Sequence, residues 1–438
     1  MTIKICVFGL FHLGLVTAAC LYKKGFEVVG LDPDETTVYN INVNDTGLPI
    51  SEPYLKETIQ EGMFKRKLHF TNDIKDALKN TDVVWICFDT PVDNNDKADV
   101  TYVMNQVRSL FVYLEPNSVV IISSQLPVGS TRSIEAEFAS KHAKSVTFAY
   151  SPENLRLGTA LETFNNPDRI VVGVCFPQLN KEGKTKIENV LKAISKNIEW
   201  MSAESAEMTK HSLNAFLATS ISFANEVALI CEQVGANYKE VERGLKSDLR
   251  IGKNAYLKSG SAYAGGTLAR DIVFLNDISY QNNLRSFLLK AVNRSNNEHK
   301  LWTLHTLDKE LKGVEGKNIA VLGLTYKPNT NTLRRSNSIS LCNKLVLRKC
   351  IVKCHDPLIK KLPKNIKHKY FFNSSINRVI SNVDAIVIAT ECEEYKTLTP
   401  DMILKTVPTQ LVIDPNGFLE KQLGNSPNKI RYVSVGRR

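Results

Sequence analysis

No stretch of the 438 residues stays apolar for the roughly 20 positions that a membrane-spanning helix needs, so no membrane partner is expected. The N-terminal segment "MTIKICVFGLFHLG" has no cleavable-signal pattern. Gly9 and His12 interrupt its apolar run, which reads as a strand, and a cytoplasmic chain is expected. Zinc, RNA-recognition and helix-turn-helix signatures are also missing. The 56 Lys and Arg against 45 Asp and Glu are spread along the chain, so the net charge of +11 does not mark a nucleic-acid surface. Lysines on solvated faces account for it, and an anionic small ligand such as a nucleotide diphosphate fits it equally well. Clustered cysteine is lacking too. Cys350, Cys354 and His355 come nearest to a metal set, but a strand through "KCHDP" would turn neighbours to opposite faces, so no metal is expected. The nine cysteines read as reduced core residues.

What is present is ordinary globular material, 43% hydrophobic and 23% charged, long enough for two to three domains. "IKICVFG" reads as a strand, Leu13 to Lys24 as an apolar-periodic helix ended by Gly25, and "EVVGLD" as a second strand: a βαβ unit. "DVVWICF", "SVVIISS", "VTFAYS" and "RIVVGV" are further buried strands, which predicts a doubly wound parallel sheet over roughly residues 1–195. Met201 to Val234 contains neither Pro nor Gly, and Leu213, Phe216, Leu217, Ile221, Ala224 and Val227 fall near helical spacing. That predicts one helix about 50 Å long, linking domains and contributing to a dimer interface. Near Gly316 the βαβ pattern restarts with "KNIAVLGLTYKPNT", "IVKCHDP", "DAIVIATE" and "QLVIDPNG", a second open α/β sheet. No sequence repeat appears, but the pattern outlines two mononucleotide-type halves around a helical middle.

"GLFHLG" (Gly9 to Gly14) follows a strand and opens a helix, where free N–H groups and the dipole favour a pyrophosphate. Phe11 replaces the middle Gly that usually permits close backbone approach. Asp32 ends the second strand, where a carboxylate hydrogen-bonds ribose hydroxyls and repels a 2′-phosphate, so NAD rather than NADP is expected. Glu153, in "YSPENLRLG", sits just past a strand's carboxyl end, where open α/β sheets bind ligands. Lys210 and Asn214, four apart, share one helix face. "GSAYAGGTLARD" is dense in small residues that let a backbone approach a ligand closely.

With "GLPISEP", "DTPVD", "QLPVGST", "DLRIG" and the closing "SVGR", these motifs occur in the order and spacing of one family. Over essentially its whole length the chain resembles the UDP-glucose/GDP-mannose dehydrogenase family, the nucleotide-sugar 6-dehydrogenases. The resemblance implies two Rossmann-like doubly wound parallel-sheet domains joined by a central helical dimerisation domain. The divisions are an NAD domain at 1–198, the central domain at 199–305 and a nucleotide-sugar domain at 306–438. It implies NAD-dependent oxidation of a nucleotide sugar, of the UDP-hexose or UDP-N-acetylhexosamine class, at C6 toward aldehyde or uronate, by a homodimer or higher homo-oligomer. A keto-sugar product, or a catalytically silent nucleotide-sugar-binding protein, are the alternatives.

Residue by residue, the resemblance places Gly9, Phe11, His12, Leu13, Asp32, Thr90, Pro91, Gln125 and Arg270 at the cofactor. It places Leu155, Arg156, Arg250 (from across the dimer), Tyr263, Gly265, Gly266, Tyr326 and Lys327 at the nucleotide sugar. Glu153 resembles the acid/base for the hydrolytic water, Lys210 the cation that stabilises alkoxide charge, Asn214 its hydrogen-bonding neighbour and Asp271 the carboxylate that orders the water. The family's loop reads Gly-x-Gly-Phe-Gly-Gly-Ser-Cys-Leu-Pro-Lys-Asp, so the residue here at the nucleophilic cysteine is Thr267. Further departures are Gln125 for a Thr, Leu157 for a second Glu, and Thr332 and Arg335 for acids. They bear on the second oxidation and the identity of the sugar. The retained Glu153, Lys210, Asn214 and Asp271 argue against a silent binding protein.

Overall fold

The computed structural model describes residues 3–43, 48–50, 52–91, 93, 98–153, 155–175, 179, 181–264, 266–364, 366, 369–405, 410–424 and 429–437. The chain forms two compact units, Met1–Ser212 and Leu213–Arg438.

The first unit is built on an eight-stranded sheet. Its strands are β1 (Lys4–Phe8), β2 (Glu27–Leu31), β3 (Leu68–Thr71), β4 (Val83–Ile86), β5 (Val119–Ile122), β6 (Thr147–Tyr150), β7 (Ile170–Val174) and β8 (Ile198–Ser202). They are ordered β3-β2-β1-β4-β5-β6-β7-β8. Strands such as VVWI and VVII are buried at every position, the unbroken apolar pattern of strands covered on both faces. The sheet is not wholly parallel, as the sequence had suggested, because β7 runs antiparallel to β6. Between them, the described residues of 151–169 hold only the six-residue helix Ala160–Asn165, too short to carry the chain back along the sheet as a parallel crossover does. Helix α1 (His12–Lys23) is buried from Leu13 to Tyr22. Helix α2 (Ser130–Lys141) follows β5.

Helix α3 (Ala203–Val234) is 32 residues long and runs from the first unit into the second. It starts later than the sequence suggested because Met201 and Ser202 complete β8, pairing with Gly173 and Val174. By length and mean hydropathy alone α3 could cross a membrane, contrary to a reading that weighed only uninterrupted apolar runs. Yet 39% of its most apolar window is buried within the chain, and it carries the buried polar side chains Glu207, Lys210, His211 and Asn214. It is not a clear membrane span.

In the second unit, α4 (Thr267–Gln281) and α5 (Phe287–His299) pack with the second part of α3 through Ala215, Ala218, Ile272 and Val292. Helix α6 (Asn337–Leu347) belongs to a six-stranded, all-parallel sheet. That sheet comprises β9 (Asn318–Leu322), β10 (Ile351–His355), β11 (Phe371–Phe372), β12 (Ala385–Ile388), β13 (Gln410–Ile413) and β14 (Ile430–Val433), ordered β11-β10-β9-β12-β13-β14. Alternation along the strands sends Val321, Val387 and Ile413 to one core and Leu322, Ile386 and Val412 to the other. The same alternation separates Cys354, whose Sγ lies 3.8 Å from Cys342 Sγ, from His355, whose Nδ1 lies 3.2 Å from the Tyr395 hydroxyl.

The two sheets share a turn that the sequence reading missed. After β1, Gly9 (φ +99°) donates to Leu31 O at 2.9 Å and Leu10 N donates to Asp32 Oδ2 at 2.6 Å. After β9, Gly323 (φ +91°) donates to His355 O at 2.8 Å and Leu324 N to Asp356 Oδ2 at 2.7 Å. The Oδ1 atoms take Asp34 N at 3.0 Å and Leu358 N at 2.9 Å. The unit is repeated, though its few shared letters are separated by different intervals because residues 325–336 precede α6.

Candidate active site

The cofactor candidates of the first unit gather at the carboxyl ends of its parallel strands. Strand order reverses where β1 pairs with both β2 and β4, the switch point at which such sheets take ligands. A Cβ on Gly14 would fall 1.7 Å from Gly9 O, and one on Gly9 3.0 Å from Phe88 N. Both glycines are therefore required for the turn to close. Phe11 is different: its φ of −97° suits any L-residue, its ring is exposed, and no side chain caps the N-terminus of α1. The first amides of α1 are thus left for an anion. Leu13 is buried behind the turn. Asp32 is buried, and loss of solvent pushes its pKa up against the pull of the two amides it accepts. Thr90 is buried and donates to Gln125 O at 2.6 Å; Pro91 is exposed and Gln125 half-buried. Uncapped amides beside a carboxylate that can accept from ribose fit a dinucleotide. His12 Nε2 lies 2.8 Å from Glu52 Oε1.

Beyond β6, the loop carrying Glu153 meets the start of α3. Glu153 Oε2 accepts from Leu155 N at 2.6 Å. The buried Lys210 ammonium donates to the Glu153 carbonyl and stands 4.0 Å from its Oε1. Leu155 packs against the core of this unit and Arg156 is exposed. Two buried α3 residues that the sequence reading passed over fix Lys210 in place. Glu207 accepts from Thr131 N at 2.9 Å, Thr131 Oγ1 at 2.7 Å and Gly129 N at 2.5 Å, and His211 Nε2 donates to Leu126 O at 3.0 Å. Burial pushes the Glu207 pKa up, and those donors oppose it. The available signal was the spacing: Glu207, Lys210, His211 and Asn214 form a polar stripe at i, i+3, i+4 and i+7 of the helix.

In the second unit, the buried Asn214 amide donates to the fully buried Asp271 carboxylate. The "GSAY" segment is held along its backbone. Gly260 N donates to Asn225 Oδ1 at 2.9 Å, and His299 Nε2 donates to Gly260 O at 2.7 Å. Ser261 N donates to Asn416 Oδ1 at 2.7 Å, and Ala262 O accepts from Asn337 at 2.9 Å. Asn296 pairs with both backbone groups of Tyr263, accepting from its N–H at 3.0 Å and donating to its carbonyl at 3.1 Å. None of these holding residues was predicted, because each pairs positions far apart in the chain. Gly265 lies outside the described residues. Gly266 (φ +118°) turns the backbone into α4, whose first residue, Thr267, is exposed. Arg270 N bonds Gly266 O at 2.9 Å.

Arg250 is largely exposed and paired at 2.7 Å with Asp248. Tyr326 is half-buried, its amide bonded to Thr332 O at 3.1 Å and its pKa pushed up by burial; the Lys327 ammonium lies 5.6 Å from its ring centre. A cleft of about 730 Å³ is lined by Lys239, Arg243, Lys246, Lys253, Lys258 and Asn416, among others. Glu242 and Glu391 line it as well, and Lys246 pairs with Glu242 at 2.7 Å and Lys258 with Glu391 at 3.2 Å, so part of that positive charge is already balanced.

Known proteins share this arrangement. Three descriptions of one family match in order: "UDP-glucose/GDP-mannose dehydrogenase family, NAD binding domain" over residues 3–195, its central domain over 204–298 and its UDP binding domain over 320–421. The chain belongs to the UDP-glucose/GDP-mannose dehydrogenase family. As a member it is an NAD-dependent nucleotide-sugar dehydrogenase, an oxidoreductase acting at C6. It is 34% identical over 446 residues to the UDP-glucose 6-dehydrogenase of Rickettsia conorii, covering 99% of both chains. The Rhizobium meliloti UDP-glucose 6-dehydrogenase is 32% identical over 438 residues, also covering 99% of both. Among solved structures, a UDP-glucose dehydrogenase from Pyrobaculum islandicum superposes with a TM-score of 0.88 at 26% identity, covering 100% of this chain and 98% of the other. A UDP-D-ManNAc dehydrogenase from Pyrococcus horikoshii gives 0.84 at 24% identity over 99% of each chain, and shares the fold.

Proposed function

We propose that this family member oxidises the C6 alcohol of a UDP-hexose or UDP-N-acetylhexosamine to the aldehyde and stops there. The carrying observation is the absence of an accessible thiol. All nine cysteines are buried, none lies between Cys231 and Cys342, and the resemblance puts Thr267 where the nucleophile belongs. Cys87, whose thiol feels the Glu153 carboxylate, is fully buried with its pKa driven well above the thiol range. Thiolate is the reactive form, and a threonine hydroxyl needs a dedicated base.

Gly9, the first turn of α1 from His12 onward, and Asp32 would hold NAD, which when bound supplies the hydride acceptor. Loss of hydride from C6 leaves one proton on the alcohol oxygen to be removed. In this reading the Lys210 ammonium stabilises the developing alkoxide and the Glu153 carboxylate takes the proton, giving aldehyde, NADH and H⁺. Asn214, one turn beyond Lys210 on α3, holds Asp271 by its carboxylate.

The extents of the three matching descriptions support the domain division 1–198, 199–305 and 306–438. Exposed Phe216, Phe223, Ile230 and Val234 on α3 support a homodimer, with Arg250 directed to a second copy. Nine free, buried cysteines suit the cytoplasm. The reading is tested by incubating the protein with NAD and a panel of UDP- and GDP-sugars and weighing the products. It expects a mass loss of two hydrogens from a UDP-sugar. A keto-sugar is told from the aldehyde by deuterium at C6, which is lost to the cofactor only in C6 oxidation.

A further inference from the structure

Glu52 lies on the segment between β2 and β3, in neither motif that the cofactor and acid/base roles draw on. Its side chain is fully buried. Oε1 lies 2.8 Å from His12 Nε2 and accepts from Gly158 N at 2.8 Å. Oε2 accepts from Gly158 N at 3.0 Å and Ala160 N at 3.4 Å. His12 is the first residue of α1, directly after the exposed Phe11 of the fingerprint turn. Gly158 and Ala160 close the loop that begins at Glu153, and Gly158 sits at φ +88°. One carboxylate thus bonds two separate pieces of the site through groups some 40 and 106 positions away.

A buried carboxylate is costly unless its lone pairs are filled. Two backbone amides and an imidazole fill them here, so neither side can shift without leaving the charge undersupplied. We infer that Glu52 is a positioning residue that ties the cofactor turn to the Glu153 loop, so that occupancy of the turn orders the loop. The inference rests on the assignment of NAD to the Gly9–Gly14 turn. Its neighbours set no rival explanation: the amides of Gly158 and Ala160 have fixed backbone positions, and Leu155 N is already held by Glu153 itself.

The test is hydrogen exchange on the whole protein with ADP-ribose, which fills the pyrophosphate site without the nicotinamide ring and so cannot touch the loop through that ring. In the wild type, saturating ADP-ribose, verified by calorimetry, should slow exchange at residues 155–160. Glu52→Ala should bind ADP-ribose without that slowing, and so should His12→Ala, which removes the ring held by Glu52 but keeps the backbone amide that the turn offers the pyrophosphate. Glu52→Gln should keep most of it, since its carbonyl can accept from both amides and its NH₂ can donate to His12. In turnover, Glu52→Ala should lower kcat by up to about 10²-fold, the scale of a misplaced catalytic group, with KM for the nucleotide sugar little changed. If Glu52→Ala does not fold, His12→Ala carries the test alone, because it cuts only the turn-side bond. Equal slowing in His12→Ala and wild type, or no slowing in the wild type, overturns the inference. A His12→Ala protein that no longer binds ADP-ribose also overturns it, by making His12 a phosphate contact and not a link. Failure of the wild type to bind ADP-ribose would instead refute the cofactor assignment beneath it.

Discussion

Asp32 and Asp356 hold the same place in two different sheets. Each ends a second strand, and each captures on Oδ2 the amide that follows a left-handed glycine, at 2.6 and 2.7 Å. They differ in what remains to be accepted. Asp356 Oδ2 also serves Thr325 N and Oγ1, while Asp32 Oδ2 serves Leu10 alone among the described residues. Asp32→Ala should therefore narrow the preference for NAD over NADP as well as weaken its unit. Asp356→Ala should destabilise only, each by about 1.5–3 kcal/mol for a lost charged hydrogen bond. Calorimetric titration with both cofactors and urea denaturation separate the two effects.

Lys210 should matter to the transition state more than to binding. Its ammonium is buried and fixed against Glu153 by the seating of Glu207 and His211. Lys210→Ala should cost about 10²–10³ in kcat, or ~2.7–4 kcal/mol, with nucleotide-sugar affinity by calorimetry nearly kept. Full turnover with weakened affinity would make Lys210 a binding contact.

How much of this was readable beforehand follows from what a sequence encodes locally. Buried strands announce themselves as unbroken runs such as VVII, and the Gly9–Gly14 turn by its glycines. Strand direction has no local mark, so the reversal at β7 was invisible. The same holds for Glu52 and Asn296, whose partners are set by the fold. The stripe Glu207, Lys210, His211 and Asn214 was legible in its period, yet only two of the four were picked out. The shared turn of Asp32 and Asp356 was hidden because unequal intervals disguise the repeat.

The exposed stripe of α3 leads to a third expectation. Phe216, Phe223, Ile230 and Val234 are 69%, 49%, 60% and 72% exposed, a row of large apolar side chains at intervals of seven, seven and four along one side of α3, of the kind an interface covers. Light scattering should report a dimer at micromolar concentration, and Phe223→Glu with Ile230→Glu should produce monomers.

His299 should make the second unit sensitive to mild acid. Burial holds its pKa below 6.5, against the opposing bond to Gly260 O. The folded ring thus stays neutral where the unfolded one has begun to protonate. The stability it contributes is complete above pH 6.5 and is lost as pH falls from there toward the depressed folded value. Melting temperatures should decline over that window in the wild type and less steeply in His299→Gln. Parallel declines would remove His299 as the cause.

In the proposed reaction a nucleotide sugar is oxidised once, because the resemblance puts Thr267 where a thiol would hold the aldehyde for a second hydride transfer. The most direct measurement counts NADH formed per UDP-sugar consumed at completion, with a hydroxylamine-type reagent present to trap carbonyl product. One NADH per sugar and a trapped nucleotide aldehyde are predicted for the unmodified protein. Two NADH per sugar with a uronate product would overturn the single oxidation.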